Sequence, residues 1–169
     1  PVMSTYFESD DIDAFTTAAI GEPGSRTFYL QIRSQGRHIT MKCEKQQVAA
    51  LSQYIRQLLA DAPDVKERPL DDAMQMSTPN DVEFVVGTVG IAYDPRSDHM
   101  VIQIDEMRDD EAFTEGEDDE VGRVRIYISR GQAAAFCEHA DDVVAAGRPA
   151  CIFCGRPKNV DGHACPRMN

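Results

Sequence analysis

Two related stretches decide the fold: Thr27-Phe-Tyr-Leu-Gln-Ile-Arg33 and His99-Met-Val-Ile-Gln-Ile-Asp105. In both, apolar residues stand at every second position, which is the pattern of a half-buried β-strand. Both stretches also have glutamine at their fifth position, Gln31 and Gln103. This agreement predicts that the two strands are copies of one another in an internally repeated unit.

The repeat continues beyond these strands. The next strand, Ile39-Thr-Met-Lys-Cys43, matches Val124-Arg-Ile-Tyr-Ile128. A helix then follows in each half, and Ser129 and Gln132 have the spacing of a capping box at the start of the second one. Apolar stripes with helical spacing occur at Val48, Leu51, Ser52, Ile55, Leu58 and Leu59 and at Ala133, Phe136, Cys137, Ala140, Val143 and Val144.

A strand also precedes each of these units. We align Phe15-Thr-Thr-Ala-Ala-Ile-Gly21 with Phe84-Val-Val-Gly-Thr-Val-Gly90, which places Phe on Phe and Gly on Gly. The chain is therefore predicted to be an α+β protein of duplicated βββα units, since strand meanders of this kind form an antiparallel sheet with helices on one face. We expect the halves to be related by a pseudo-twofold axis.

The C-terminal residues contain a cluster of potential metal ligands: Cys151, Cys154, His163 and Cys165. The C-x-x-C pair is followed by Gly155, which can turn the backbone beneath two sulfurs bound to one ion. His163 and Cys165 are two positions apart, so an extended backbone points both side chains the same way. These four residues predict a closed, structural Zn²⁺ site of the Cys3His type. A redox C-x-x-C pair and free thiols are the alternatives.

These observations divide the chain into five segments. We expect a flexible N-terminal arm over 1–13, a first repeat over 14–62, a linker over 63–82, a second repeat over 83–147 and a C-terminal zinc-knuckle tail over 148–169. The second repeat includes an acidic insertion over 105–120, which has ten acidic residues and one basic residue. Prolines and the lack of a hydrophobic period favour the linker.

Charge is unevenly distributed along the chain. The formal net charge is −12, and the acidic insertion contributes −9 of it, whereas the tail from 148 to 169 is net +3. An acidic body argues against nucleic-acid binding outside the tail, because phosphate contacts require Lys and Arg. Arg156, Lys158 and Arg167 are therefore the candidate partner-binding residues. The chain has no apolar run of membrane-spanning length and no visible signal peptide, and cysteines without a disulfide pattern favour the cytoplasm.

No catalytic residues are predicted. The sequence lacks a phosphate-binding G-x-x-x-x-G-K-[ST] loop and a G-x-S-x-G motif. Cys43 and Cys137 fall at apolar positions of the repeat and are interpreted as core residues. His139 is expected to be an exposed histidine on the second helix.

Four motifs resemble an actinobacterial family known as domain of unknown function 3090: Cys151-Ile-Phe-Cys-Gly-Arg-Pro157, Asp161-Gly-His-Ala-Cys-Pro-Arg167, Gly21-Glu-Pro-Gly-Ser-Arg-Thr-Phe28 and Glu44-Lys-Gln-Gln-Val-Ala-Ala-Leu51. The resemblance covers nearly the whole chain. It implies a cytoplasmic protein, often encoded beside a histidine-phosphatase-like and a kinase-like protein. No activity comes with it.

The sequence therefore favours a zinc-binding interaction or regulatory protein with an unidentified protein partner. One alternative is an enzyme acting on a small phosphorylated or nucleotide-like substrate in the groove between the repeats. Another is a protein that binds nucleic acid through its basic tail. An apolar cleft with converging charged groups would favour the enzyme, and a filled interface between the repeats would favour the interaction protein.

Overall fold

A computed structural model describes residues 5–22, 24–65, 67–69, 71–77, 81–108 and 121–146. These residues form an α+β structure of seven strands and two helices. The strands are β1 (Tyr6–Ser9), β2 (Ala14–Ile20), β3 (Thr27–Ser34), β4 (Arg37–Cys43), β5 (Phe84–Asp94), β6 (His99–Glu106) and β7 (Arg123–Ile128). The helices are α1 (Lys45–Ala60) and α2 (Arg130–Ala145), and a turn of 3₁₀ helix covers Asp71–Met74.

All seven strands belong to one sheet, in the order β1-β7-β6-β5-β4-β3-β2. The pairs within each half are antiparallel, but β4 pairs with β5 and β1 pairs with β7 in parallel. The prediction of an antiparallel sheet is therefore wrong at two of the six strand pairs. The parallel pairing of β4 with β5 arises because α1 carries the chain back across the sheet before β5 begins.

The two edge strands of this sheet, β1 and β2, are consecutive in the chain. Only Asp10 to Asp13 separate β1 from β2, and the five steps from Ser9 to Ala14 can span at most about 18 Å. Seven neighbouring strands at about 4.8 Å each would place the ends of a flat sheet farther apart than that. The sheet must therefore curl enough to bring Ser9 of one edge strand within about 18 Å of Ala14 of the other.

The segment Tyr6–Ser9 also corrects the prediction of a flexible arm over 1–13. It forms β1, in which Phe7 lies opposite Val124 and Ser9 lies opposite Ile126. Sequence inspection missed it because four polar-flanked residues have too short an alternating pattern to stand out.

The curled sheet encloses a single apolar core with the helices. Side chains at every second position of β3, β4, β6 and β7 point into it, as the alternation in the sequence predicts. The largest fully buried side chains are Phe15, Phe136, Leu30, Ile32, Ile39, Met41, Ile55, Met100, Ile102, Ile104, Ile126 and Ile128. None of the helices that the structure describes is long and apolar enough to cross a membrane.

The two helices begin in the same way and contact one another reciprocally. Gln47 of α1 and Gln132 of α2 each close a capping box, and Ser129 supplies the cap of α2 as predicted. At the helix crossing, the Ser52 hydroxyl donates to the Asp141 carboxylate at 2.9 Å and lies 3.4 Å from the Cys137 carbonyl. The Cys137 thiol donates to the Ser52 carbonyl at 3.3 Å. Because Ser52 and Cys137 are equivalent positions of the repeat, their reciprocal contact indicates an approximate twofold axis between the helices.

The sheet register corrects the alignment of the first strand of each repeat. Gln31 lies opposite Thr16, and its counterpart Gln103 lies opposite Gly90. Gly90 therefore corresponds to Thr16 rather than to Gly21, a shift of five residues from the alignment predicted above. The matching Phe and Gly residues suggested the wrong register because pairing with β3 and β6, rather than residue identity, defines which positions are equivalent.

Part of the predicted linker packs on the outer face of the first half. Gln31 donates from its amide nitrogen to the Thr40 hydroxyl and to the Ser77 carbonyl, both at 3.0 Å. Its amide oxygen accepts from the Ser77 backbone N–H at 2.9 Å. The Thr16 hydroxyl donates to the Met74 carbonyl at 2.5 Å. These bonds hold residues 71–77 against β2, β3 and β4.

Candidate binding groove

Each helix is tied to the first strand of the opposite half by the same side chain. The amide nitrogen of Gln132 donates to the Ile12 carbonyl at 2.7 Å, just before β2. The amide nitrogen of Gln47 donates to the carbonyls of Val86 and Gly87 on β5, at 3.2 and 3.1 Å. The molecule therefore contains two equivalent helix-strand junctions: α2 with β2, and α1 with β5.

Aromatic side chains fill the junction of α2 with β2 where Phe15 meets Phe136, whereas the far end of this junction has a cleft of about 420 Å³ beside Ala18, His139 and Val143. The rings of Phe15 and Phe136 stack with their centroids 4.4 Å apart, and both are almost fully buried. One turn further along α2, the Nε2 atom of His139 lies 2.9 Å from the Thr17 carbonyl. His139 is therefore half-buried and bonded to the strand, which corrects the prediction of an exposed histidine.

The junction of α1 with β5 is open. Leu51 takes the position of Phe136, and Val89 takes the position of Phe15, so two smaller side chains meet where two rings stack in the other half. Tyr54 takes the position of His139 and has 61% of its surface exposed. A groove of about 410 Å³ results. It is lined by Gln47, Ala50, Leu51, Tyr54, Gly87, Val89, Gly90 and Ile91.

One side of this groove is an unpaired strand edge. On the side of β5 away from β6, only Phe84 and Val85 pair with β4. Beyond Val85, no strand among the described residues pairs with this edge. Backbone N–H and C=O groups along the edge are therefore left without sheet partners, apart from the two carbonyls that Gln47 reaches.

The two glycines of the groove have different roles. A Cβ atom on Gly87 would lie 2.7 Å from the Met107 Cα atom, so the bulge between Val86 and Thr88 requires glycine there. A Cβ atom on Gly90 would meet nothing within 4 Å. Packing therefore does not require glycine at position 90. The absence of a side chain there leaves the backbone of β5 uncovered beside the groove.

The groove contains no charged side chain, and the Gln47 amide and the Tyr54 hydroxyl are its polar groups. A second cleft, of about 440 Å³, lies between the helices and residues 63–65 and does contain charged side chains, Arg56, Asp64, Arg68 and Glu138. Both arginines form ion pairs, Arg56 with Asp141 and Arg68 with Glu138. The positive charges of this cleft are therefore already paired with carboxylates.

A polar cluster fixes the start of α2. Arg130 makes two hydrogen bonds to the Asp98 carboxylate, at 2.7 and 3.1 Å, and the Tyr93 hydroxyl donates to Asp98 at 2.7 Å. These bonds, first from Arg130 and then from Tyr93, lower the pKa of Asp98 to about 2. Arg130 also donates to the Asp64 carbonyl at 2.8 Å. The cluster joins the β5–β6 turn, the helix and the linker, so it serves as a structural clamp.

The described cysteines are core residues, as predicted. Cys43 and Cys137 are both buried and free of disulfides. Burial raises the pKa of the Cys43 thiol to about 12, and nearby Glu44 adds to this shift. Burial also raises the pKa of Cys137. Both thiols therefore stay protonated and unreactive at neutral pH.

The predicted metal and partner residues lie outside the described residues: Cys151, Cys154, His163, Cys165, Arg156, Lys158 and Arg167. The predicted acidic insertion over 105–120 is described only as far as Arg108, and its first two residues belong to β6. Within the described ranges, no group of three or more His, Cys, Asp or Glu side chains could hold a metal ion.

Residues 7–165 match the sequence profile of a family described as "Protein of unknown function (DUF3090)". The chain belongs to this family. The match includes both repeats and the cysteines of the tail. Searches of curated proteins and of solved structures each found no significant match. Family membership agrees with the resemblance seen in the sequence and adds no activity to it.

Sequence reasoning missed the groove. Its signal is the replacement of Phe15 by Val89 and of Phe136 by Leu51 at equivalent positions. The second replacement is visible in the helix alignment. The first was hidden because the first strand had been aligned five residues out of register.

Proposed function

We propose that this protein is a cytoplasmic, zinc-binding interaction protein without catalytic activity. The observation that supports this most is the contact between the halves: Ser52 and Cys137 pack together at the pseudo-twofold axis, and the groove that stays open between α1 and β5 has no charged side chain in its lining. A substrate site between the repeats would require converging charged groups there. In the charged cleft nearby, both arginines are already paired with carboxylates, which favours an interaction protein over an enzyme.

The zinc component of the proposal rests on the spacing of Cys151, Cys154, His163 and Cys165. Four protein ligands would close the coordination sphere, so the ion would hold the tail in shape rather than activate a substrate. Cys43 and Cys137 are poor competing ligands, since both are buried in the core and neither belongs to a group of three or more potential metal ligands among the described residues.

Metal analysis tests the zinc site. We expect protein purified without chelator to contain about one Zn²⁺ per chain, and Cys154→Ser to lose it because three ligands bind the ion more weakly. Cys43→Ser is the matched control and should retain the metal. Native protein without zinc, or loss of zinc in the Cys43 variant, would refute the assignment.

The tail is also the proposed surface for an acidic protein partner, through Arg156, Lys158 and Arg167. Replacing all three by Glu should abolish partner recovery in a pull-down, in a way that depends on salt. The melting temperature should hardly change, because exposed ion pairs contribute only about 0–1 kcal/mol each. Recovery that is lost on nuclease treatment would show nucleic acid to be the partner instead. Identical recovery by both proteins would leave the tail as a structural clamp only.

A further inference from the structure

We propose that the groove between α1 and β5 binds an extended peptide segment of a protein partner, which pairs with the free edge of β5 and inserts one aromatic side chain against Leu51 and Val89. This inference rests on the proposed role as an interaction protein. It assigns that role a second surface, on the folded core rather than on the tail.

The first argument comes from the edge of β5. This edge is continuous with an established strand interface, because β4 already pairs with it at Phe84 and Val85. The backbone of β4 then turns away at Glu44 to begin α1. An added strand would continue the sheet from the point where β4 departs, and its main chain would satisfy the groups left open along residues 88–91.

The second argument comes from the equivalent junction in the first half. There the strand edge is covered by α2, and His139 bonds to the Thr17 carbonyl. In the second half, Ile91 takes the position of Thr17, and the Tyr54 hydroxyl forms no hydrogen bond within the part of the chain that the structure describes. Among the described residues, the same fold therefore covers one strand edge with its own side chains and leaves the other uncovered.

The third argument concerns the inserted side chain. Phe15 and Phe136 stack in the α2–β2 junction, whereas Val89 and Leu51 together leave a groove of about 410 Å³. An aromatic ring from outside would restore a packing that the fold already makes once. The groove lacks charged lining residues, so the segment that enters it should be uncharged around the aromatic residue.

A defined peptide tests this inference. The probe is the capped pentapeptide acetyl-Thr-Val-Phe-Val-Thr-amide, titrated into the ¹⁵N-labelled full chain and followed by backbone amide shifts. We expect saturable shifts at Gly87, Gly90 and Ile91. Replacing the peptide's Phe by Ala should weaken binding at least tenfold, because the ring supplies most of the buried apolar surface.

Two further peptides test strand pairing. One is N-methylated at the Phe nitrogen and the other at the nitrogens of both flanking Val residues. Alternate residues of a strand direct their N–H groups to the same edge, so one methylation pattern should abolish binding and the other should not. Equal binding of both would overturn strand pairing.

A variant of the protein completes the test. Val89→Phe places a ring where Phe15 lies in the other half, so it should abolish the shifts. Ala92→Phe adds the same ring to an exposed position of β5 and is the matched control, which should bind normally. Absence of saturable shifts, or equal binding by Val89→Phe, would overturn the inference. Neither result would bear on zinc binding by the tail or on its acidic partner, so the two proposals are tested independently.

Discussion

The two helix-strand junctions of this molecule have the same arrangement of helix and strand but differ in the side chains that line them. In both, a glutamine in the first turn of the helix bonds to a carbonyl of the first strand of the opposite half. At the next turn of the helix, Phe15 and Phe136 stack in the α2–β2 junction, whereas Val89 and Leu51 leave the equivalent position of the α1–β5 junction open. The duplicated fold therefore makes the glutamine contact twice and the aromatic contact once.

The largest expected effect distinguishes the two junctions directly. Phe15→Ala should lower the free energy of unfolding by about 3–5 kcal/mol, because it removes a fully buried ring that stacks on Phe136. The equivalent change, Val89→Ala, should cost only about 1 kcal/mol, because Val89 is half-exposed in the groove. Urea denaturation of both variants gives the comparison. Equal losses would mean that the two junctions are packed alike.

A second difference between the halves appears at high pH. Cys43 ends β4, and the buried Ile128 takes the equivalent position in β7. Because burial raises the pKa of Cys43 from 9.0 to about 12, the folded state retains a proton that the unfolded chain loses. The resulting stabilisation is complete below pH 9 and is lost as the pH rises towards 12.

The unfolding free energy should therefore fall by about 2 kcal/mol between pH 8.5 and 10.5, beyond the change in Cys43→Val, which lacks the ionising group. Urea denaturation of both proteins across this range measures the difference. Parallel curves for the two proteins would show that the thiol is not desolvated in the folded state.

A smaller effect is expected on the outer faces of the two halves. Gln31→Ala removes the side chain that holds residues 71–77 and should cost about 1 kcal/mol, with faster amide exchange at Ser77. Gln103→Ala, the equivalent change on β6, should cost less than about 0.5 kcal/mol because Gln103 is half-exposed. Unchanged exchange at Ser77 in Gln31→Ala would contradict the idea that this side chain anchors the segment.

Much of this architecture could be predicted from the sequence, because alternation and helical stripes are local signals. The strands β3, β4, β6 and β7, both helices and the repeat itself follow from such patterns. The parallel pairings and the curling of the sheet could not be predicted, since they depend on where α1 returns the chain. β1 is too short to show a period.

The site was less predictable than the fold for a related reason. The groove exists because smaller side chains replace larger ones at equivalent positions of the two halves. It can be recognised in the sequence only when those positions are correctly aligned. Gln31 and Gln103 gave the right register for β3 and β6. The Phe and Gly residues of β2 and β5 gave a wrong one, because pairing with β3 and β6, rather than residue identity, defines which positions are equivalent there.

The central claim is that the α1–β5 junction has room beside Leu51 and Val89, at the position where Phe15 and Phe136 stack in the α2–β2 junction. Measuring the unfolding free energy of Val89→Phe by urea denaturation tests it most directly. If the groove is open as described, the added ring fits, and stability stays within about 0.5 kcal/mol of the wild type or rises. If the junction is in fact closed in solution, the ring overpacks it, and stability falls by about 1–3 kcal/mol.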